Sequence, residues 1–195
     1  MSDDLRPDDV PGQHDLGPAV EHFDEVVDEQ LERVRGNAVL DRVFTTASHV
    51  GDFSLIWHSI NLALGIRNRN PRRIVMFASL IGLESLIVNQ GIKRIFKRSR
   101  PTLTGEDGLE VRTPLTSSFP SGHASSATFA AVLLAHRTRN PVAALIYTAA
   151  FTVATSRAYV RIHHASDVVA GVVTGGLLAA IARRLIRRAG ADDLL

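Results

Sequence analysis

The chain contains no cysteine, which excludes disulfides and thiolate metal sites and is compatible with either side of a membrane. Lysine is nearly absent: Lys93 and Lys97 are the only two among 22 basic residues. Such an arginine-rich, lysine-poor, alanine-rich chain reflects a GC-rich genome and receives no functional weight. No apolar h-region follows the start, so no secretory signal peptide is expected. Carboxylates thin out after residue 41, where only 8 of the 20 acidic residues remain. No acidic cluster stands ready for magnesium or zinc, and neither metal nor cofactor is expected. Long apolar runs without interruption are missing too; the apolar stretches are short and dotted with polar residues.

The small net charge of +2 hides two opposed blocks, because residues 1–41 carry 12 acidic and 3 basic side chains. A length of 195 residues suits a single main domain. Residues 1–18 read as a disordered polar tail with Pro7, Pro11, Gly12 and Gly17. Residues 19–41 read as an acidic amphipathic helix, with Phe23, Val26, Val27, Leu31 and Val34 at helical spacing. Residues 42–195 read as a membrane-embedded domain.

Five apolar segments follow: Val43–Ile66, Ile74–Ile92, Ser121–His136, Pro141–Tyr159 and Val168–Ile186. The expected fold is all-α, a multi-pass transmembrane helix bundle with five clear spans and room for a sixth. The first span is the weakest, since it includes His49, Asp52 and His58, read as packing or interface positions, with the lining of a substrate groove as the alternative. Glu84 in the second span reads as a packing group facing the bundle interior. Gly171 and Gly175 have G-x-x-x-G spacing, which permits close helix contact, although glycine is frequent in membrane helices anyway. Arginines at 67–73, at 137–139 and near the C-terminus fall on alternate connections. The positive-inside rule places those in the cytoplasm and the other connections outside. The cell membrane is thus the expected location, with the N-terminus outside and the C-terminus cytoplasmic.

That topology brings three separate motifs to the outer face. The first, KRIFKRSRP, sets Lys93 and Arg100 seven apart, so that on a helix both cations project from one face. The second, FPSGHASSA, reads as a helix start in which Ser121 caps, Gly122 lets a ligand approach the backbone, and His123 stands beside the amides that favour phosphate. The third, SRAYVRIHHASD, adds Arg157 as a planar anion donor, His163 as candidate nucleophile and Asp167 as its orienting carboxylate one turn on. Three cations, an amide site, two histidines and a carboxylate form an inventory for phosphomonoester hydrolysis through a phosphohistidine. Lys93, Arg100, Arg157 and the Ser121–Gly122 amides would hold the phosphate oxygens, and His123 would donate and then accept a proton.

The chain resembles the type 2 phosphatidic acid phosphatase superfamily of integral-membrane lipid phosphate phosphatases. The family pattern K-x6-R-P, P-S-G-H and S-R-x5-H-x3-D is matched by Lys93 to Arg100–Pro101, Pro120 to His123, and Ser156–Arg157 to His163 and Asp167. The resemblance implies His163 as nucleophile, His123 as acid–base, metal-independent activity, and an extracytoplasmic site. It implies a lipid phosphate or diphosphate substrate, phosphatidic acid-like or polyprenyl, with membrane lipids and not nucleic acid as partners; oligomeric state is not read. Two alternatives stand beside it. A vanadate-dependent haloperoxidase uses a similar site for oxidoreduction, and a non-catalytic lipid-binding membrane protein would be expected to lack His123, His163 or Asp167.

Overall fold

A computed structural model describes residues 16–101, 109, 111, 116–136 and 138–192. Most of the expected polar tail and most of the loop 102–119 lie outside the described residues, as does Arg137. Every regular element among the described residues is helical. Local chemistry sets the helix starts. Pro18 opens α1 (Pro18–Glu32), where its missing N–H costs nothing. Asn37 caps α2 (Ala38–Gly51) by accepting from the amides of Val39 and Leu40 at 3.0 and 3.3 Å. Asn70 caps α4 (Pro71–Leu86) through the Arg73 amide at 3.0 Å. Between them lies α3 (Leu55–Arg67).

The expected first span is not one helix. Phe53 and Ser54 take left-handed φ values of 52° and 59°, so the chain kinks at Asp52–Ser54 and α2 and α3 point in different directions. The second expected span is continuous but irregular. After α4 a π-helical turn, Ile87–Ile92, widens the helix before a last α turn, α5 (Lys93–Ile95). Then come α6 (Gly122–Ala135), α7 (Asn140–Tyr159) and α8 (Ala165–Arg188). Two stretches are long and apolar enough to cross a membrane, Pro71–Ile95 with 25 residues and Ala165–Arg188 with 24. At 1.5 Å per residue each reaches about 36 Å, more than a ~30 Å hydrocarbon layer.

Helix α6 is the axis of the bundle, packed chiefly on α7 and α8, and nine of its residues are buried. Helix α8 shows how. Its inward positions Asp167, Gly171, Gly175 and Ala179 recur every four residues, while Val169, Val173, Leu177, Ile181 and Leu185 point outward and are exposed. Small residues inside and large apolar ones outside suit lipid, where close backbone packing replaces a hydrophobic core as the source of contact.

Helix α1 lies against α7 and α8 on part of its expected apolar face: Val27 and Leu31 are half-buried, and Leu31 packs against the cluster that holds Tyr159 and Ile162. Phe23, Val26 and Val34 are exposed, and the buried position is Asp24. A polar attachment, described below, is set into this half-buried edge.

The α6–α8 contact yields a test. A Cβ on Gly175 would come within 2.2 Å of the Ser125 carbonyl oxygen, and one on Gly171 within 2.4 Å of the Ser121 carbonyl oxygen, whereas one on Gly176 meets only Thr128 at 3.9 Å. Gly175→Ala is expected to cost about 1–3 kcal/mol through overpacking and to lower the melting temperature in detergent. Gly176→Ala should leave it unchanged or raised; equal effects of the two would refute the packing described.

Candidate active site

The ends of four helices converge at one end of the bundle. Lys93 closes the α4–α5 stretch, Ser121, Gly122 and His123 open α6, Arg157 lies in the last turn of α7, His163 sits in the turn that follows, and Asp167 is in the first turn of α8. Lys93, Arg100, Ser121, Arg157, His163 and Asp167 are all buried.

The carboxylate of Asp167 is the best-held group. Arg98 donates to its Oδ1 at 2.6 Å. Its Oδ2 accepts from the His164 amide at 2.9 Å and from the Ser118 hydroxyl. His163 Nδ1 lies 3.5 Å from the same oxygen, long for a hydrogen bond, and the Ser118 hydroxyl stands 3.4 Å from that nitrogen. Ser118 therefore links imidazole and carboxylate. His163 lies before α8 starts, so the four-residue spacing joins a turn residue to the first helical turn, not two residues on one helical face.

Two further sequence expectations are corrected. Lys93 and Arg100 do not share a helix face, because the helix ends at Ile95 and Phe96 turns extended, with ψ of 134°. They meet through the loop: Lys93 Nζ donates to the Ser117 carbonyl at 3.2 Å, and Arg100 donates to the Thr116 and Ile162 carbonyls at 3.0 and 2.8 Å. The second correction concerns Ser121. Its amide donates to the Asp167 carbonyl at 2.9 Å and its hydroxyl caps the helix through the Ala124 amide at 3.4 Å. The helix-start amides that follow are those of Gly122 and His123.

Arg157 is 1% exposed. One guanidinium nitrogen donates to Ser48, while Nε and Nη2 meet no acceptor among the described residues. The Arg157 carbonyl accepts from the His163 amide at 3.0 Å, so cation and histidine are fixed to each other. Arg100 Nη1 is 3.2 Å from His163 Nε2. Burial pulls the Arg100 guanidinium down to about 10 against the attraction of Asp167, leaving it charged at neutral pH. Burial also pushes His163 well below its usual 6.5; the Asp167 carboxylate opposes this, and Lys93, Arg100 and Arg157 add to it. The imidazole is thus neutral at pH 7, with a lone pair for an electrophile.

Several residues of the site were not singled out in the sequence. Arg98 lies inside the first motif and Ser118 immediately before the second. Asp24 of α1 accepts from Arg98 Nη2 at 2.7 Å and from the Ser166 amide and hydroxyl, both at 2.7 Å. Its signal was an aspartate between Val20, Val27 and Leu31 on one helical face. Asp52, read as a packing position, lies 3.0 Å from His123 Nε2. Glu84 is buried and accepts from the Ser125 hydroxyl. A cavity of about 660 Å³ opens beside His163, walled on one side by Glu21, Asp24, Glu25 and Asp28 of α1 and on the other by Arg98, Ser99 and Pro101. No group of three or more metal-ligating side chains occurs among the described residues.

A family model described as the PAP2 superfamily matches residues 73–191. The chain is 32% identical over 150 residues to the decaprenylphosphoryl-5-phosphoribose phosphatase of Mycobacterium tuberculosis, covering 74% of this chain and 82% of that one. It is 35% identical over 127 residues to the protein of the same name from Mycolicibacterium smegmatis, covering 64% and 67%. Among solved structures, the fold is similar to the transmembrane PAP2-type phosphatidylglycerolphosphate phosphatase of Bacillus subtilis, with a TM-score of 0.71, 22% identity and 89% of each chain covered. It is also similar to Aquifex aeolicus LpxE, with a TM-score of 0.67, 20% identity, and 88% and 99% covered.

Two predictions follow from the geometry. In histidine-labelled protein, the His163 ring is expected to remain neutral as the pH falls through 6.5. The unfolded chain takes up that proton and the folded one does not, so stability is lost below 6.5; a ring midpoint at or above 6.5 would contradict the burial argument. Arg98→Met, which strands two buried carboxylates, is expected to cost about 3–5 kcal/mol, read as a lower melting temperature in detergent. Loss of under 1 kcal/mol would mean that Asp24 and Asp167 do not depend on it.

Proposed function

The chain belongs to the PAP2 superfamily and is a lipid phosphate phosphatase, and we propose that it works through a phosphohistidine formed on His163. The observation that carries the site assignment is Arg157, a buried guanidinium with two donors that meet no acceptor among the described residues, tied by its own backbone to His163. A buried charge with unused donors is costly unless an anion completes it.

In this reading the phosphoryl group enters between His163 Nε2 and Arg100, and Arg100 turns its Nη1 hydrogen from the imidazole to a phosphate oxygen. Lys93, Arg157 and the Gly122 and His123 amides take the remaining oxygen charge. His163 Nε2 attacks phosphorus while the bond to the lipid oxygen breaks, and His123 gives that oxygen a proton. Asp167, through Ser118, stabilises the imidazolium that develops. Water then loses a proton to His123 and attacks phosphorus, the P–N bond breaks, and inorganic phosphate leaves with His163 neutral again. The donor set is cationic, so a divalent ion would meet Lys93, Arg100 and Arg157 where phosphate oxygens are to be held. These residues do the work a metal does elsewhere.

For the substrate we propose a polyprenyl-linked phosphomonoester with a sugar between phosphate and lipid. Its support is the name of the mycobacterial relatives and the polar cavity beside His163, which has room for a hydroxyl-bearing group. For the topology we propose that α4–α5, α6, α7 and α8 cross the membrane, with the kinked α2–α3 pair inserted beside them. The arginines at 67–73 and 183–188 lie at the helix ends opposite the site, which supports an extracytoplasmic site and a cytoplasmic C-terminus. Helix α1, bonded to the site, belongs on the same side as the site.

The test is phosphate release in mixed micelles with EDTA present, across phosphatidic acid, phosphatidylglycerol phosphate, polyprenyl mono- and diphosphates and a polyprenylphosphoryl sugar phosphate. Turnover should be greatest on the last and should fall at least about 1,000-fold in His163→Ala. Turnover that survives His163→Ala would overturn the phosphohistidine. Equal rates across the panel would overturn the sugar preference.

A further inference from the structure

We infer that Asp52 is a positioning residue that orients His123 and holds its proton for the departing lipid oxygen. The inference rests on the reading of His123 as proton donor and adds to it a residue outside the matched span 73–191.

The geometry sets Asp52 against His123 from three directions. Its Oδ1 lies 3.0 Å from His123 Nε2, and the two side chains are only 18% and 16% exposed. The residue before it, Gly51, is buried against the imidazole: a Cβ there would come within 2.9 Å of His123 Cδ2 and of Val153 Cγ1, so α2 ends at this ring because its last residue has no side chain. The two residues after it, Phe53 and Ser54, take left-handed backbone conformations that side-chain-bearing residues rarely adopt. The chain is bent out of helix at the point where the carboxylate is delivered.

The chemistry needs such a group. A general acid must carry its proton before the leaving oxygen departs. His123 faces two of the cations that hold the phosphate, Lys93 and Arg157, and both oppose an imidazolium. Asp167 is committed to Arg98, Ser118 and the His163 side of the site. Asp52, which also faces the Arg157 guanidinium, is the carboxylate hydrogen-bonded to His123 and so placed to balance a second imidazolium. With Nε2–H donated to Asp52, Nδ1 is the nitrogen that passes its proton to the lipid oxygen and later recovers one from water. Asp52 stays ionised throughout, so no net proton is gained or lost by the pair. The site then holds two carboxylate–imidazole pairs from distant parts of the chain, one serving the nucleophile and one the leaving group.

The test uses Asp52→Asn, which keeps the side-chain volume. Its effect is read as kcat/KM in micelles on two esters of one lipid tail: an alkyl phosphate, whose leaving oxygen needs a proton, and a nitrophenyl phosphate, whose leaving oxygen does not. Asp52→Asn is expected to lower kcat/KM about 10- to 100-fold on the alkyl ester, part of the ~100- to 10,000-fold that proton transfer supplies, and less than about 3-fold on the aryl ester. His123→Ala should show the same asymmetry, and the double variant should be no worse than His123→Ala alone. Equal losses on both esters, or a further loss in the double variant, would overturn the inference. A second readout needs no turnover: nitrogen NMR of labelled histidine should find His123 protonated at Nε2 in the parent and changed in Asp52→Asn. An unchanged ring would overturn the pairing, whereas a parent that releases no phosphate from any lipid would overturn the proposed function and leave the NMR result to decide the pair.

Discussion

The structure hangs on the Asp167 carboxylate. It is fully buried, and a buried carboxylate is tolerated only when hydrogen-bonded and balanced by charge. Arg98, Ser118 and the His164 amide meet that requirement, and each ties down a different piece of chain. Arg98 fixes the loop after α5, Ser118 the approach to α6, and His164 the start of α8. The Asp167 carbonyl accepts the Ser121 amide, which pins α6 to α8 at the same point. The far nitrogen of Arg98 reaches Asp24, and Asp24 fastens α1 back to Ser166. The site and the fold share these bonds, so the carboxylate beside His163 also sets the relative positions of four elements.

The rest of the bundle follows from its solvent. With Val173, Leu177, Ile181 and Leu185 of α8 turned outward, little is gained by burying apolar area, and stability must come from packing density and polar bonds. Gly171 and Gly175 bring α8 onto the α6 backbone. The short helix α6 can then be surrounded on all sides, and its first turn is held where two helix starts and two helix ends meet. A site built on helix termini in this way receives oriented amides as well as side chains, which suits an anion.

Sequence reading found what is local in the chain. His163 and Asp167 are four apart, and Ser121–His123 are contiguous, so spacing alone conveyed their relation. It mistook the means by which Lys93 and Arg100 meet, because nothing in KRIFKRSRP marks the helix end at Ile95; only the burial of Lys93 and the loop carbonyls that receive both cations enforce it. Topology brought the three motifs to one face, but the partners outside the motifs that arrive from far away were not assigned to the site. Asp24 is 142 residues from Ser166, Asp52 is 71 from His123, and Ser118 is 49 from Asp167. A carboxylate on an otherwise apolar helical face was the one trace Asp24 left. In Asp52 the kink that delivers the side chain depends on left-handed residues, and Phe53–Ser54 carries no glycine or asparagine to announce them.

The two charge blocks of the sequence acquire a physical sense from these contacts. The acidic segment folds back on the basic one: Asp28 and Glu32 meet Arg161, with Arg35 between them, and Asp24 meets Arg98. Such pairing consumes the cations at the edge of the site and stops short of its centre. Lys93 and Arg100 are instead oriented by main-chain carbonyls, which are dipoles and leave the positive charge in place. Arg157 is oriented by a serine hydroxyl. Main-chain carbonyls and a serine hydroxyl thus orient these cations, and the carboxylates that act on them from a distance, Asp167 on Arg100 and Asp52 on Arg157, belong to the site itself and not to α1. Carboxylates paired directly with those cations would cancel the field that a phosphoryl group requires; among the described residues, those of α1 pair instead with Arg35, Arg98 and Arg161.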